Sequence, residues 1–146
     1  MYEAIKYLHS YWAYLVVLIV FLATINALIK YISDKPFGSH DFRISLFALI
    51  VTHLQFVIGL VLLFSGPYFS RIGEIGMGNL MKDETLRLYV IEHPLTMIIS
   101  VVLITIGYSR HKKKLSSRPK FKQLSIFYAI AFALILSRIP WQQWLG

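Results

Sequence analysis

The chain contains no cysteine, which excludes disulfides, thiolate metal sites and covalent c-type heme attachment. Redox compartment therefore cannot be read from thiols. Charge is scarce as well: Asp, Glu, Lys and Arg make up 15% of 146 residues, and only seven are acidic. It is absent altogether from Tyr11 to Ile29, from Ile44 to Phe69, from His93 to Ser109 and from Gln123 to Ser137. No G-x-S-x-G occurs, so a Ser-His-Asp hydrolase has no candidate nucleophile. With 57% hydrophobic residues and a mean hydropathy of +0.62, too little polar surface remains to cover a soluble domain.

About 20 residues cross a bilayer core, so the uncharged runs predict four transmembrane helices. We place them at about 8–31, 43–66, 86–109 and 122–139, in a single domain over 1–146. The fold class is then all-α, an integral membrane four-helix bundle. The first run is too long for a signal-peptide core and no small-residue cleavage site follows, so it is expected to persist as a helix. The net charge of +8 is unevenly placed. The connection after the third run holds Arg110, Lys112, Lys113, Lys114, Arg118, Lys120 and Lys122 with no acid, and the first connection adds Lys30, Lys35 and Arg43 against Asp34 and Asp41. On the other face, Lys6, Arg71, Lys82, Arg87 and Arg138 balance Glu3, Glu74, Asp83, Glu84 and Glu92. Short basic loops stay cytoplasmic, so both termini are expected on the outer side of a multi-pass bacterial cytoplasmic membrane protein. The basic connection reads as a topology determinant touching anionic lipid; no nucleic acid partner is expected.

Against that apolar background five histidines stand out, and His9, His53 and His93 fall at or within the runs. An imidazole in hydrocarbon is costly unless paired, so it marks a site by default. The topology puts His9 at the outer boundary of the first helix and His93 about one turn inside the third, at a common level. His53 sits deeper, near mid-membrane. His40 and His111 lie beside the basic connections and are expected to be solvated or lipid-facing. Steps of three and four from His9 meet Ala13, Val16, Val20, Ala23 and Ala27; from His93 they meet Met97, Ser100, Ile104, Gly107 and His111. Ser45, Thr52, Gly59 and Gly66 recur every seven residues in the second helix, and Ser125, Ala129, Ala133 and Ser137 every four in the fourth. Such small residues let helices pack closely in lipid.

Three chemistries fit histidines without cysteines. Neutral imidazoles from facing helices of a four-helix bundle suit a low-spin b-type heme. Histidines that only hydrogen-bond between helices are the second option, and metal or proton chemistry the third. For zinc, His9, His93 and Glu92 would be the three ligands, although Glu92 points about 100° around the helix from His93.

The segment Leu54-Gln55-Phe56-Val57-Ile58-Gly59 resembles the L-Q-x-x-x-G of the heme A synthase family. Leu86-Arg87-Leu88-Tyr89-Val90-Ile91-Glu92-His93 is similar to that family's R-L-x-x-x-H-L, with one residue more before the histidine, and His9 matches the histidine of its E-x-x-H-R. The match covers roughly residues 5 to 100, and small bacterial cytochrome b-like proteins fit the same description. The resemblance implies one heme b held between His9 and His93 near the outer face. Where the family has its reactive glutamate this chain has Lys6, after His9 comes Ser10 rather than arginine, and the outer-loop cysteine pair is missing. With four helices instead of eight, the resemblance implies a heme-holding half-module rather than heme A synthesis; a homodimer rebuilding the eight-helix arrangement is a hypothesis added to it.

Around such a heme, Arg138 and Arg87 are placed to meet propionates, or else snorkel to headgroups. His53 is a further cofactor-binding candidate, against the heme, for a second heme or for a quinone, and a packing role weighs equally. Pro94 removes a backbone donor beside His93. Gln55 and Asn26 are expected to hydrogen-bond across helices. The second connection, Ser65 to Thr85, reads as turn-rich with room for one short interfacial helix that lids the heme edge. Trp141 and Trp144 form an aromatic anchor with Tyr7, Tyr11, Trp12 and Tyr14. The expected function is a heme b electron-transfer cytochrome, possible subunit of a respiratory assembly, more an electron carrier than an enzyme. A cofactor-free structural subunit or assembly factor is the alternative, and an enzyme using Glu92 or His53 as proton carrier a third.

Overall fold

A computed structural model describes residues 1–145, and among them the regular structure is entirely helical. In chain order the helices are α1 (Tyr2–Ile32), α2 (Ser39–Ser65), α3 (Pro67–Ile75), α4 (Met77–Lys82) and α5 (Glu84–Arg87). A π-helical turn, Leu88–Glu92, then leads into α6 (His93–Lys113), followed by α7 (Ser117–Ser137) and α8 (Trp141–Leu145). Four helical stretches are long and apolar enough to cross a membrane: α1, α2, the continuous run Glu84–Lys113, and α7.

Each spanning helix reaches beyond its apolar run at one end or both, because local capping decides the ends. Gly38 caps α2, with the Asp41 carboxylate accepting its N–H at 2.8 Å. The Asp41 side chain, 2% exposed, also accepts hydrogen bonds from Asn26 Nδ2 at 2.9 Å and from Lys30 Nζ. One carboxylate thereby ties the end of α1 to the start of α2. A charge so deep is tolerated only with its acceptor sites filled, as here.

The spanning helices form a ring in which α1 packs on α2 and α7, and α6 packs on α2 and α7. Helices α1 and α6 therefore face each other diagonally. The stripes stepping from His9 and His93 line the interior: Val16, Val20, Ala23 and Ala27 are buried on α1, and Ser100, Ile104, Gly107 and His111 on α6. Tyr128 of α7 is fully buried and its hydroxyl crosses to Ser45 O of α2 at 2.8 Å, joining the other diagonal. Outward, Leu18, Phe21, Phe47, Val57, Ile99 and Val102 are exposed, an apolar belt suited to lipid. Close approach of α6 and α7 depends on Gly107, where a Cβ would stand 2.6 Å from Phe127 Cβ.

Three expectations are corrected here. On α7 the buried face is Phe121, Leu124, Ser125, Tyr128, Ala131 and Ile135, whereas Ala133 and Ser137 are exposed. Bulky aromatic and aliphatic side chains fill the bundle there, so the four-residue stripe of small residues drifts off the contact face. The second connection is largely helical, α3 to α5, and has its own small core of Leu80, Leu86 and Val90. Two of its four glycines fall at joints, Gly66 before α3 and Gly76 between α3 and α4, while Gly73 and Gly78 lie within α3 and α4. His111 is fully buried rather than solvated or lipid-facing. His40 is exposed.

Both chain ends lie at one end of the bundle. Trp144 Nε1 donates to Ser10 O at 3.1 Å, and the Trp144 ring lies 4.4 Å from that of Tyr14. Tyr14, Trp141 and Trp144 thus form one aromatic cluster, and the basic connections occupy the opposite end.

Candidate functional site

His9 and His93 meet across the bundle diagonal, with ring centroids 6.2 Å apart and ring planes at 84°. The pair sits at the end of the bundle that holds the termini. Each ring is positioned by a different device.

For His93 the device is the helix start. Pro94 brings no N–H to the first turn of α6, and the backbone widens into the π turn just before it, where His93 N donates to Leu88 O. The imidazole Nδ1 lies 2.8 Å from Arg138 O just past α7. A carbonyl only accepts, so Nδ1 carries the proton and the neutral ring keeps its lone pair on Nε2.

For His9 the device is a gap in α2. A Cβ on Gly59 would stand 3.1 Å from His9 Cε1 and 3.6 Å from Nδ1, so the missing side chain makes the space for the ring. One turn earlier, Gln55 Nε2 donates to His9 O at 2.8 Å, and Trp12 Nε1 donates to Val51 O at 2.9 Å, fixing α1 against α2. Two polar atoms remain buried without a partner: His9 Nδ1 and Gln55 Oε1. One can donate and the other accept. Their pairing, directly or through one water, would put the His9 lone pair on Nε2 as well.

The charged residues beside the pair form a cluster of their own. Arg87 Nε donates to Glu92 Oε2 at 2.7 Å, and Arg138 Nε stands 3.7 Å from Glu92 Oε1. Arg87 also reaches Met81 O at 2.6 Å, which ties the second connection to this point. Arg87 and Arg138 are thus brought to the level of His93 with Glu92 as shared counter-ion. That occupation removes Glu92 from a three-ligand zinc set, and among the described residues no group of three or more His, Cys, Asp or Glu converges on a metal-ion position.

His53 is not brought to the pair. It lies exposed on the α2–α6 seam, with Nδ1 2.7 Å from Leu49 O and Nε2 3.2 Å from Thr105 Oγ1. Nε2 is engaged across the seam and Nδ1 within α2, so one of the two bonds is of the interhelical kind that the hydrogen-bonding reading of the histidines describes.

A buried histidine that sequence reasoning left outside the bundle is His111. Its Nδ1 is hydrogen-bonded to Tyr108 O, its Nε2 has no partner, and the rings of Phe37, Phe42 and Tyr108 lie 5.0–6.2 Å away. The signal was present in the stripe that runs from His93 through Gly107 to His111; the neighbouring cations masked it. Eighteen residues of helix, about 27 Å, separate it from His93, so the two serve different ends of the bundle.

Gln55 and Asn26 both bond between α1 and α2, as expected for polar side chains in apolar helices. Comparison with family models, with curated proteins and with solved structures gives no match, so the chain's own geometry carries the functional argument.

Proposed function

We propose that the chain is a heme b-binding membrane cytochrome in which His9 and His93 would hold the heme iron. The observation that carries this reading is the pair itself: two imidazoles from diagonally opposed helices, 6.2 Å apart between centroids. A separation of that size would leave room for one iron held by both rings. Two protein ligands suffice for heme iron, where a zinc site would need three or four. The ring tautomer at His93, and the unpartnered atoms beside His9, fit Nε2 ligation at both.

Bound heme would supply one-electron chemistry, and this chain's residues would bind and orient it. Arg87 and Arg138 lie close enough to the pair to meet propionates by exchanging one of their bonds to Glu92. No side chain at the pair is a bond-making nucleophile, which supports an electron carrier over an enzyme. The skewed charge, with the cationic connections at the end opposite the termini, supports both termini and the heme on the outer side of a bacterial cytoplasmic membrane. A respiratory or quinol-linked assembly, or a homodimer, is the setting such a carrier needs.

The test is heme content after purification from heme-replete membranes. His9→Ala and His93→Ala are each expected to lose most of the heme, while His53→Ala, removing a ring bonded to Leu49 and Thr105, keeps it. Heme retained in both His9→Ala and His93→Ala contradicts the ligand assignment. A second reading, a cofactor-free structural subunit, is favoured by one observation: His53 has both nitrogens engaged by the chain's own atoms, Nε2 with Thr105 across α2 and α6 and Nδ1 with Leu49 O within α2. Absence of heme from the unaltered protein would leave that reading in front.

A further inference from the structure

We propose that a cleft at the basic end of the bundle holds the phosphate of an anionic phospholipid. The cleft, about 300 Å³, lies where the ends of α1 and α6 meet the start of α7, and is lined by Tyr31, Lys114, Arg118, Pro119, Lys122 and Gln123. Three of those six side chains are cations and none is acidic. They come from separate places: Lys114 closes α6, and Arg118 and Lys122 lie one turn apart on the same face of α7. The positive end of the α7 dipole points the same way.

The central cation is held in place before any ligand arrives. The Arg118 guanidinium stacks 4.3 Å above the Tyr31 ring, and its Nη1 donates to Tyr31 O at 3.2 Å. Asp34, itself largely exposed, stands 3.9 Å from the same nitrogen. A planar guanidinium anchored through one nitrogen keeps its remaining N–H groups for an oxyanion. Lys114 and Lys122 make no ion pair among the described residues. Lys120, by contrast, turns away to His111 O and the Phe37 ring. The cations of this connection are therefore sorted, some to brace the bundle and three to the cleft.

The surroundings select lipid over a soluble anion. Beside Tyr31, Ile32 is 76% exposed, and beside Lys114 the Leu115 side chain is completely exposed. Large apolar side chains at the end of four membrane-length helices suit contact with acyl chains. A phosphodiester among the cations with its chains along Ile32 and Leu115 satisfies both demands, and basic pockets between spanning helices bind anionic headgroups in this way.

The experiment is native mass spectrometry of the full chain in mild detergent, with phosphatidylglycerol, phosphatidylcholine or inorganic phosphate added at equal phosphate. Phosphatidylglycerol adducts should persist where phosphatidylcholine adducts do not. At about fivefold per cation, K114Q/K122Q should weaken phosphatidylglycerol binding roughly 25-fold. This pair leaves Arg118 and its contacts to Tyr31 in place, so the variant stays folded. The control K35Q/R43Q, which removes two cations at the same end but outside the cleft, should bind as the unaltered chain does. Equal loss in both double variants would mean diffuse charge attraction and overturn the cleft. Phosphate binding without phosphatidylglycerol binding would overturn the lipid as its occupant, and no binding of either overturns the site. None of these readouts involves heme, so the inference stands or falls separately from the cytochrome reading.

Discussion

Beside His9, the side chain whose role is least expected from its chemistry alone is Gln55. Its Nε2 already holds the His9 carbonyl, and its Oε1 is buried without a partner one helical turn from the glycine that houses the His9 ring. If Oε1 accepts a hydrogen bond from His9 Nδ1–H in the heme-bound protein, Gln55→Leu removes a bond that makes the ligand more basic. We expect heme affinity to fall by about 10- to 100-fold, with a raised reduction potential in what remains bound. Titration of apoprotein with hemin, followed by potentiometry, checks both; unchanged affinity and potential would assign Gln55 to helix packing alone. The histidine pair was legible in the sequence because the topology put His9 and His93 at one level. Their neighbours were legible only in part. Gly59 belonged to a visible seven-residue stripe, but that its missing Cβ admits an imidazole from α1 required the helix rotation that only packing sets.

Elements show a similar division. Uncharged runs of about 20 residues located the four spanning helices, since a helix satisfies its backbone within its own segment across hydrocarbon. They did not locate the ends, which follow from individual caps such as Asp41 at Gly38. The short helices α3 to α5 were hidden because glycines at and within them read as loop punctuation, and the face of α7 was misread because small residues were weighted over Phe121, Leu124 and Tyr128. The capping carboxylate gives a prediction at this scale. Asp41→Asn strips the charge that Lys30, Asn26 and the Gly38 N–H converge on, leaving Lys30 half-buried without its counter-ion. Loss of a buried pair costs several kcal/mol, and the partial exposure of Lys30 reduces this to about 2 kcal/mol. Thermal unfolding in detergent should show a lowered Tm; an unchanged Tm would mean that the α1–α2 turn is held by packing alone.

For the molecule as a whole, the charge distribution and the fold make a joint statement. Termini and histidine pair share one end, and the cationic connections share the other. On the orientation proposed from positive-inside sorting, the histidine pair would face the outer side. The absence of native cysteine makes this directly measurable, since a single introduced thiol is the only one that reacts. A membrane-impermeant maleimide applied to intact cells should label Gly73→Cys in α3 and leave Ser116→Cys before α7 unlabelled until the membrane is opened; the reverse pattern would invert the topology. The measurement that bears most directly on the central claim is the absorption spectrum of the purified, unaltered chain, air-oxidised and then dithionite-reduced, with a pyridine hemochrome assay. Ligation by His9 and His93 predicts sharp reduced α and Soret bands at about one heme b per chain. A colourless protein that is folded and thermally cooperative would contradict it.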